Sequence, residues 1–259
     1  MKYPRIIPTI LLTNQGAIKT KKFTKSIYLG DPINIIKIFN SKQVDEILIL
    51  DIDKNYNKKK IDYDYIKNLS NECFMPAAYG GGIRNVEECE KIVGIGFEKV
   101  VLCSSIFENY KLIKEVVQSI GSSATIVSIN YKYSLFGKCN VYSRGGQKRV
   151  SESLKDVVSR VIDEGAGEIL LYNINNDGMF SGFDINTLKL FSSTTSVPII
   201  VAGGCRGIED VNQALKEGKA SAVGIGSKFV FLDQDRSSIM INYFSEQELS
   251  STYKLLNEK

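Results

Sequence analysis

An internal repeat constrains the fold of this chain more than any other feature of its sequence. Three sets of residues recur 122 positions further along the 259-residue chain. The matched sets are Gly81–Arg84 with Gly203–Arg206, Glu46–Leu48 with Glu168–Leu170, and Ser105 and Phe107 with Ser227 and Phe229. Three matches at one spacing are hard to obtain by chance, so the sequence indicates two duplicated halves.

Short apolar runs alternate with amphipathic segments, an order typical of strands that are each followed by a helix. The predicted strands are Ile6–Leu12, Glu46–Ile52, Met75–Tyr79, Lys99–Cys103, Ala124–Asn130, Glu168–Ile174, Val197–Ala202 and Ala222–Ile225. The amphipathic segments include Pro32–Ser41, Val86–Gly94, Leu112–Ile120, Ser151–Glu164, Ile185–Phe191, Ile208–Glu217 and Glu246–Leu256. Two halves of four units predict a closed (β/α)₈ TIM barrel that forms one domain over residues 1–259. A doubly wound open sheet is the alternative, and Thr13–Phe23 and Lys132–Arg149 are interpreted as loops.

Composition excludes several classes of function. The chain contains no histidine, which excludes Ser-His-Asp and Cys-His triads and argues against the usual zinc and iron sites. Its five cysteines form no CxxC pair, so we predict free thiols, no metal and no cofactor. Without a long apolar run or a signal peptide pattern, we expect a cytoplasmic protein that does not cross a membrane. The densest basic cluster, Lys58–Lys60, has no interleaved aromatic residues, which argues against nucleic acid binding.

Each half carries a glycine turn after one strand and a serine turn after the next. The residues concerned are Gly80, Gly81, Gly82, Ser104 and Ser105 in the first half, and Gly203, Gly204, Gly226 and Ser227 in the second. Glycines let backbone N–H groups approach an anion, and a following helix N-terminus favours negative charge. Two equivalent turns therefore predict a ligand with phosphates at both ends. The alternative is that these glycines only make tight turns.

Several motifs closely resemble those of HisF, the cyclase subunit of imidazole glycerol phosphate synthase in the HisA/HisF family. The matching stretches are Arg5–Ile7, Gly30–Pro32, Val44–Glu46, Leu50–Ile52, Gly80–Ile83, Gly165–Leu171, Asn176–Gly178 and Ser181–Gly182. The resemblance runs over nearly the whole chain. It implies that a HisH-like glutaminase docks on the N-terminal face of the barrel. It also implies that ammonia passes along the barrel axis to a phosphorylated substrate at the other end.

The resemblance assigns the family's ammonia gate to four charged residues, and all four types are retained here. They are Arg5, Glu46, Lys99 and Glu168. Because side chains alternate along a strand, Arg5 is expected to share a face with Ile7. Two positive and two negative charges sum to zero, which matters because an unpaired buried charge costs several kcal/mol. The alternative is an ion-pair cluster that seals the barrel.

The sequence departs from the family at its two catalytic aspartates, which act as general base and general acid. Leu11 and Asn130 occupy those positions, so the sequence predicts little cyclase activity. Cys103 and Tyr172 also replace an asparagine and a threonine of the family, which should change the shape of the pocket. The remaining ligand-binding candidates at the mouth are Lys19, Asp51, Ser143, Asp177 and Gly178. Lys19 is expected either to clamp an anion or to be an ordinary loop lysine.

This pattern of losses resembles the acetamidino-modification (AglZ-type) relatives of HisF from surface-polysaccharide pathways. The residues that carry this resemblance are Leu11-Leu12, Lys19–Phe23 and Tyr28–Pro32. It implies a glutaminase partner, a barrel that conducts ammonia, and a separate ATP-dependent sugar amidotransferase acting on a phosphorylated or nucleotide-sugar ligand. The alternatives are an authentic histidine-pathway cyclase, a HisA-like isomerase, and a non-enzymatic scaffold with a sealed barrel.

Overall fold

A computed structural model describes residues 4–13, 16–53 and 60–257, so Lys58 and Lys59 lie outside the described residues. Eight parallel strands form the barrel. They are β1 (Arg5–Thr13), β4 (Ile47–Asp51), β5 (Ala77–Gly80), β6 (Lys99–Leu102), β7 (Thr125–Tyr133), β10 (Glu168–Asn173), β11 (Ile199–Ala202) and β12 (Ala222–Ile225). These bounds differ from the predicted ones by at most three residues at either end.

The strand order closes on itself, which distinguishes a barrel from an open sheet. β1 pairs in parallel with both β4 and β12, with Arg5 opposite Ala222 in the second pairing. β10 pairs in parallel with both β7 and β11, with Glu168 opposite Ile126 in the first pairing. Each of the eight strands therefore has two parallel neighbours. The predicted TIM barrel is confirmed, and the open-sheet alternative is wrong.

Eight α-helices are described around the barrel. They are α1 (Pro32–Ser41), α2 (Tyr63–Asn71), α3 (Val86–Gly94), α4 (Lys111–Ile120), α5 (Leu154–Asp163), α6 (Ile185–Ser192), α7 (Ile208–Lys216) and α8 (Glu246–Asn257). Six of them begin after a residue whose side chain accepts a hydrogen bond from a backbone N–H of the first turn. These capping residues are Asp31, Asp62, Asn85, Ser153, Asp184 and Ser245. Such caps satisfy donors that a helix start leaves unpaired, so they mark where each helix begins.

The two segments interpreted as loops contain additional strands, and that interpretation was wrong. β2 (Gly16–Lys21) and β3 (Lys25–Gly30) form an antiparallel hairpin that continues from β1. β8 (Cys139–Ser143) and β9 (Lys148–Arg149) extend β7 in the same way. Polar and basic residues dominate these stretches, so they lack the apolar runs that mark the barrel strands. Both extensions stand at the carboxyl ends of barrel strands.

Alternating side chains divide the core into two layers. Ile6, Ile10 and Leu12 of β1 point outward and join the large cluster between the strands and the helices. Ile7 points inward and joins the smaller cluster inside the barrel. Within the described residues, no helix is long and apolar enough to span a membrane, and no group of side chains is suited to hold a metal ion.

Candidate functional site

Four charged side chains form a ring at the barrel floor, which we call the floor ring. Arg5, Lys99 and Glu168 open their strands, and Glu46 directly precedes β4. The Arg5 guanidinium lies 2.6 Å from a carboxylate oxygen of Glu46 and 2.6 Å from one of Glu168. Lys99 Nζ lies 3.0 Å from Glu46 Oε2 and 2.8 Å from Glu168 Oε1. Each cation therefore contacts both anions, and positive and negative charges alternate around the ring.

Partial burial makes this pairing energetically important. The side chains of Glu46 and Lys99 are 3% and 15% exposed. Burial disfavours the charge on Glu168, but hydrogen bonds from Arg5 and Lys99 outweigh it and hold the pKa of Glu168 below its usual value. Burial also opposes the charge on Arg5, and the two carboxylates together raise its pKa. The two cations and two anions of the floor ring thus pair with one another, and their formal charges sum to zero.

An apolar layer separates the floor ring from the other end of the barrel. Two positions after each ring residue, the strands present Ile7, Leu48, Val101 and Leu170 to the interior. The same cluster is completed around the barrel by Ala78, Ile126, Ile200 and Ala222. None of these eight side chains can ionise, so this part of the interior offers no favourable position for an ammonium ion. A small neutral molecule does not incur that cost.

A small cavity, the inner pocket, lies at the carboxyl ends of the barrel strands. Its volume is about 60 Å³, and its lining includes Leu11, Asn130, Asp51, Thr20 and Tyr172. That is room for roughly four water molecules, since each needs about 15 Å³. Ligand pockets for larger molecules are typically about 300–1,000 Å³. The inner pocket in this conformation therefore suits ammonia or a small group, not a sugar bisphosphate.

A larger and more open cavity, the outer groove, adjoins the inner pocket. Its volume is about 460 Å³, and it is lined by residues of both hairpin extensions, among them Lys22, Phe23 and Lys132. Phe23 and Gly145 line both cavities. The outer groove is large enough for a sugar-sized group.

Asn130 belongs to a neutral hydrogen-bonded set in the wall of the inner pocket. Its side-chain amide lies 3.3 Å from the Cys103 sulfur, and the Ser128 hydroxyl donates to its carbonyl oxygen at 3.4 Å. Burial raises the pKa of the Cys103 thiol to about 11, so the thiol stays protonated near neutral pH. Neither Leu11 nor the hydrogen-bonded set around Asn130 therefore offers a group that exchanges a proton near pH 7.

Asp177 is buried behind Thr20 and Tyr172, which line the inner pocket, and it is surrounded by donors. Its Oδ2 accepts from the Thr20 hydroxyl at 2.6 Å and from the Phe23 N–H at 3.2 Å. Its Oδ1 accepts from the Tyr172 hydroxyl at 3.1 Å. The Tyr172 ring packs edge-on against Phe23, with 5.0 Å between ring centroids. Tyr172, the departure expected to reshape the pocket, thus ties β10 to the β2–β3 hairpin.

Replacing Tyr172 by phenylalanine is expected to lower the free energy of unfolding by about 1–3 kcal/mol, because a buried acceptor loses its donor. Burial already raises the pKa of Asp177 despite its hydrogen bonds, so one donor fewer should raise that pKa further. Urea denaturation at pH 7 measures the loss. Tyr28→Phe is the matched control, because Tyr28 is 66% exposed. Equal effects of the two substitutions would contradict the assigned role of the Tyr172 hydroxyl.

Lys19 is a buried strand residue and not an ordinary loop lysine. It lies on β2, is 2% exposed, and donates from Nζ to the backbone oxygen of Thr9. A Cβ at Gly226 would collide with Nζ, so the absence of a side chain there makes room for the amine. Burial lowers the pKa of Lys19 to about 8, against the attraction of Asp177. Sequence periodicity could not show that Lys19 is buried, because its neighbours on β2 are mixed in polarity.

The glycine turns have a steric role that the sequence alone left open. Gly81 has φ of +132°, and a Cβ there would collide with the backbone oxygen of Asp51. Gly203 has φ of +97°, and its Cβ would lie 2.6 Å from the backbone oxygen of Asn173. Only glycine fits these conformations and contacts. Asp51 and Asn173 are themselves 122 positions apart, so the repeat extends to the packing of the turns.

The serine residues named as candidates for phosphate binding differ in their hydrogen bonds. The Ser104 hydroxyl accepts the N–H of Arg144 at 2.9 Å, so the β8–β9 hairpin already engages it. The Ser105 hydroxyl is buried, and it has no hydrogen-bond partner within the described residues. Ser105–Phe107 and Ser227–Phe229 both form a 3-10 turn. Ser143 donates to the backbone of Lys148 and lines neither cavity.

Comparisons with known proteins agree with this architecture. The family model described as "Histidine biosynthesis protein" matches residues 5–234. The chain is 37% identical over 254 residues to the "Putative imidazole glycerol phosphate synthase subunit HisF" of Leptospira interrogans, covering 98% of this chain and 100% of that protein. It is 37% identical over 239 residues to the "Putative imidazole glycerol phosphate synthase subunit hisF2" of Pseudomonas aeruginosa, covering 92% and 95% of the two chains. It is 36% identical over 220 residues to the "Imidazole glycerol phosphate synthase subunit HisF" of Pyrococcus furiosus, covering 85% and 87%. The chain therefore belongs to the histidine biosynthesis protein family, as a HisF-like synthase subunit.

Proposed function

We propose that this chain receives ammonia from a HisH-like glutaminase at its N-terminal face and conducts it through the barrel. The ammonia serves amidine (acetamidino) formation on a nucleotide-sugar in surface-polysaccharide biosynthesis, catalysed by a separate ATP-dependent sugar amidotransferase. In this scheme Arg5, Glu46, Lys99 and Glu168 form the ammonia gate. Gly178 and the glycine and serine turns contact the phosphorylated ligand at the mouth, and the buried Lys19 and Asp177 support the wall beneath it.

One combination of features carries the proposal. The charged floor ring is complete, whereas Leu11 and Asn130 leave the opposite end without the paired acid and base that cyclisation needs. A barrel that only plugs its floor has no need for four buried charges, since apolar side chains of similar volume are often equally stabilising. Retention of the ring together with loss of the acids is what a conducting subunit requires.

The size of the inner pocket supports the same division of labour. Ammonia fits the inner pocket of about 60 Å³, whereas a phosphorylated sugar needs the adjoining outer groove. The sugar is then held in the outer groove of about 460 Å³ or by the partner enzyme. Asp51 lines the inner pocket and is suited to orient a hydroxyl or amide group beside it.

Reconstitution with the glutaminase and the sugar amidotransferase of the same organism tests the proposal. We expect amidine product from glutamine, with close to one product per glutamine hydrolysed. Arg5→Ala and Lys99→Ala should lower this ratio several-fold, because each removes a cation that contacts both ring carboxylates. Lys189→Ala is the control, because Lys189 forms an exposed ion pair with Glu217 at 2.9 Å. Unchanged ratios in both ring variants would contradict the gate.

An authentic cyclase of the histidine pathway is the second candidate, favoured by the family itself and by relatives named imidazole glycerol phosphate synthase subunits. The discriminating assay supplies the phosphoribulosyl formimino substrate with ammonium salt in a single turnover. We expect no imidazole product from this chain, because Leu11 and Asn130 cannot transfer protons near pH 7. Clear imidazole formation would overturn the proposal.

A sealed, non-enzymatic scaffold is the third candidate. A conducting barrel is distinguished from this scaffold by supplying external ammonium at low pH, where little neutral NH₃ exists. A conducting barrel should give more product from glutamine than from external ammonium under these conditions. Equal product from the two sources would favour the scaffold.

A further inference from the structure

The most exposed large apolar side chains of the described residues lie together on one hairpin tip at the mouth. Leu135 and Phe136 occupy the turn between β7 and β8 and are 102% and 97% exposed. Two such side chains in sequence are unusual on a soluble surface unless they contact something. We refer to Leu135 and Phe136 as the apolar tip.

The hairpin holds the apolar tip in a defined position. Ser134 N–H donates to the Lys138 backbone oxygen at 2.9 Å, and Lys138 N–H donates to the Ser134 hydroxyl at 3.2 Å. At the base of the turn, the Tyr133 hydroxyl lies 2.7 Å from the Thr187 hydroxyl of α6, and Tyr133 N–H donates to Asn175 at 2.7 Å. The tip is therefore presented on a bonded support, which lowers the entropy lost when it is bound.

The two sequence stretches that form the hairpin extensions are strongly basic, although Arg144 pairs with Glu108 at 3.4 Å and Asp184 accepts from the Tyr131 hydroxyl at the base of the hairpin. Residues 16–30 and 130–150, which include both hairpin extensions, contain nine lysines and arginines and no aspartate or glutamate. The whole chain has a formal net charge of only +4, so the remainder of the protein is net negative. Lys22 and Lys132, one from each extension, line the outer groove between them. The positive charge is thus concentrated around the mouth.

We propose that the apolar tip and its basic surroundings form the docking surface for the ammonia-consuming enzyme. The complementary surface is an acidic rim around an apolar pocket that receives Leu135 and Phe136. This inference rests on the proposed function, because it names where the third component binds. A buried apolar anchor surrounded by charged contacts is the arrangement from which protein interfaces gain most of their affinity.

The position of this surface explains why a protein fits it better than a lipid bilayer. Lys132, three residues before Leu135 on the same hairpin, lines the outer groove. An enzyme bound at the tip therefore lies beside the outer groove and can present its sugar there, which a lipid bilayer does not do.

Binding of the barrel–glutaminase complex to the sugar amidotransferase of the same organism tests the docking surface. We expect Leu135→Ser/Phe136→Ser to weaken this binding at least 50-fold and Lys138→Glu to weaken it at least 5-fold. The matched controls are Leu190→Ser, 59% exposed on the outer helix α6, and Lys155→Glu, exposed on α5, which should leave affinity unchanged. Raising NaCl from 50 to 500 mM should weaken the wild-type complex, and it should weaken the Lys138→Glu complex by a smaller factor.

The outcomes separate this inference from the proposed function. If wild-type and Leu135→Ser/Phe136→Ser complexes bind equally, the docking surface is refuted, and amidine formation from glutamine still decides the function. If the wild-type complex makes product but shows no binding, the inference also fails while the function stands. If the wild-type complex neither binds the sugar amidotransferase nor forms product, both the docking surface and the proposed function are overturned. A parallel assay uses vesicles of phosphatidylcholine and phosphatidylglycerol at 3:1. Wild-type binding that Leu135→Ser/Phe136→Ser abolishes there would overturn the protein partner in favour of a lipid surface.

Discussion

Replacing Glu46 by leucine is expected to lower the free energy of unfolding by about 3–5 kcal/mol, the usual effect of breaking a buried ion pair. Glu46 is the least exposed member of the floor ring and contacts both cations. Its removal leaves Arg5 and Lys99 sharing the carboxylate of Glu168, so one positive charge is uncompensated. Urea denaturation at pH 7 measures the change. The Glu46→Leu variant should also lower product formed per glutamine.

Two further variants test whether the uncompensated charge causes this loss of stability. Glu217→Leu removes an equally short ion pair to Lys189 whose side chains are about half exposed, and we expect little change in stability. Replacing all four ring residues together by leucine or methionine should restore stability to within about 1–2 kcal/mol of wild type, because no charge remains uncompensated. The amount of product formed per glutamine hydrolysed should stay low in that variant. A Glu46→Leu protein as stable as Glu217→Leu would contradict the account of the floor ring.

The second large effect is expected at Lys19, where Lys19→Met should stabilise the protein near pH 7. The fall in the pKa of Lys19 from 10.5 to about 8 corresponds to a cost of roughly 3 kcal/mol when the amine is charged. Lys19→Met avoids this cost, but it also loses the hydrogen bond to Thr9, which offsets about 1 kcal/mol of the gain in stability. We therefore expect a net gain of about 2 kcal/mol by urea denaturation.

The difference in stability between wild type and Lys19→Met should change with pH in a defined direction. Below pH 8 the amine is charged in both the folded and unfolded states, so the folded state bears the whole cost. Between pH 8 and 10.5 the unfolded chain binds more protons, so wild-type stability rises with pH relative to Lys19→Met. The advantage of Lys19→Met should vanish by about pH 10.5. Lys21→Met, exposed on the same strand, is the control. A destabilised Lys19→Met variant at pH 7 would show that the ammonium is stabilised where it lies.

The barrel could be predicted from sequence because its signals are local and repeated. Strand Ala222–Ile225 and helices Pro32–Ser41 and Val86–Gly94 begin and end where the apolar patterns predict. The helix Tyr63–Asn71 was not among the amphipathic segments named from sequence, since tyrosine and aspartate dilute its apolar stripe. The two extensions were missed because a polar hairpin obtains its order from the strand it extends and not from its own periodicity.

The candidate site was predictable only where a resemblance or a strand face identified it. The four ring residues fall on one interior face because strand side chains alternate, so their meeting follows from the barrel itself. The environments of Lys19 and Asp177 do not follow in this way. Thr20 and Tyr172 contact Asp177 from 157 and 5 positions away, and such contacts depend on how the hairpin folds over the mouth.

Arg5, Glu46 and Lys99 all belong to the first half of the duplicated chain, and only Glu168 belongs to the second. The Arg5–Glu168 hydrogen bonds join residues 163 positions apart. An isolated first half would therefore keep two cations and one anion, and its exposed edge would carry an unbalanced positive charge. The circle is complete only when β10 is packed against β7, because Glu168 supplies the last two ion pairs. Electrostatics thus favour the joined halves over either fragment, independently of any role in conducting ammonia.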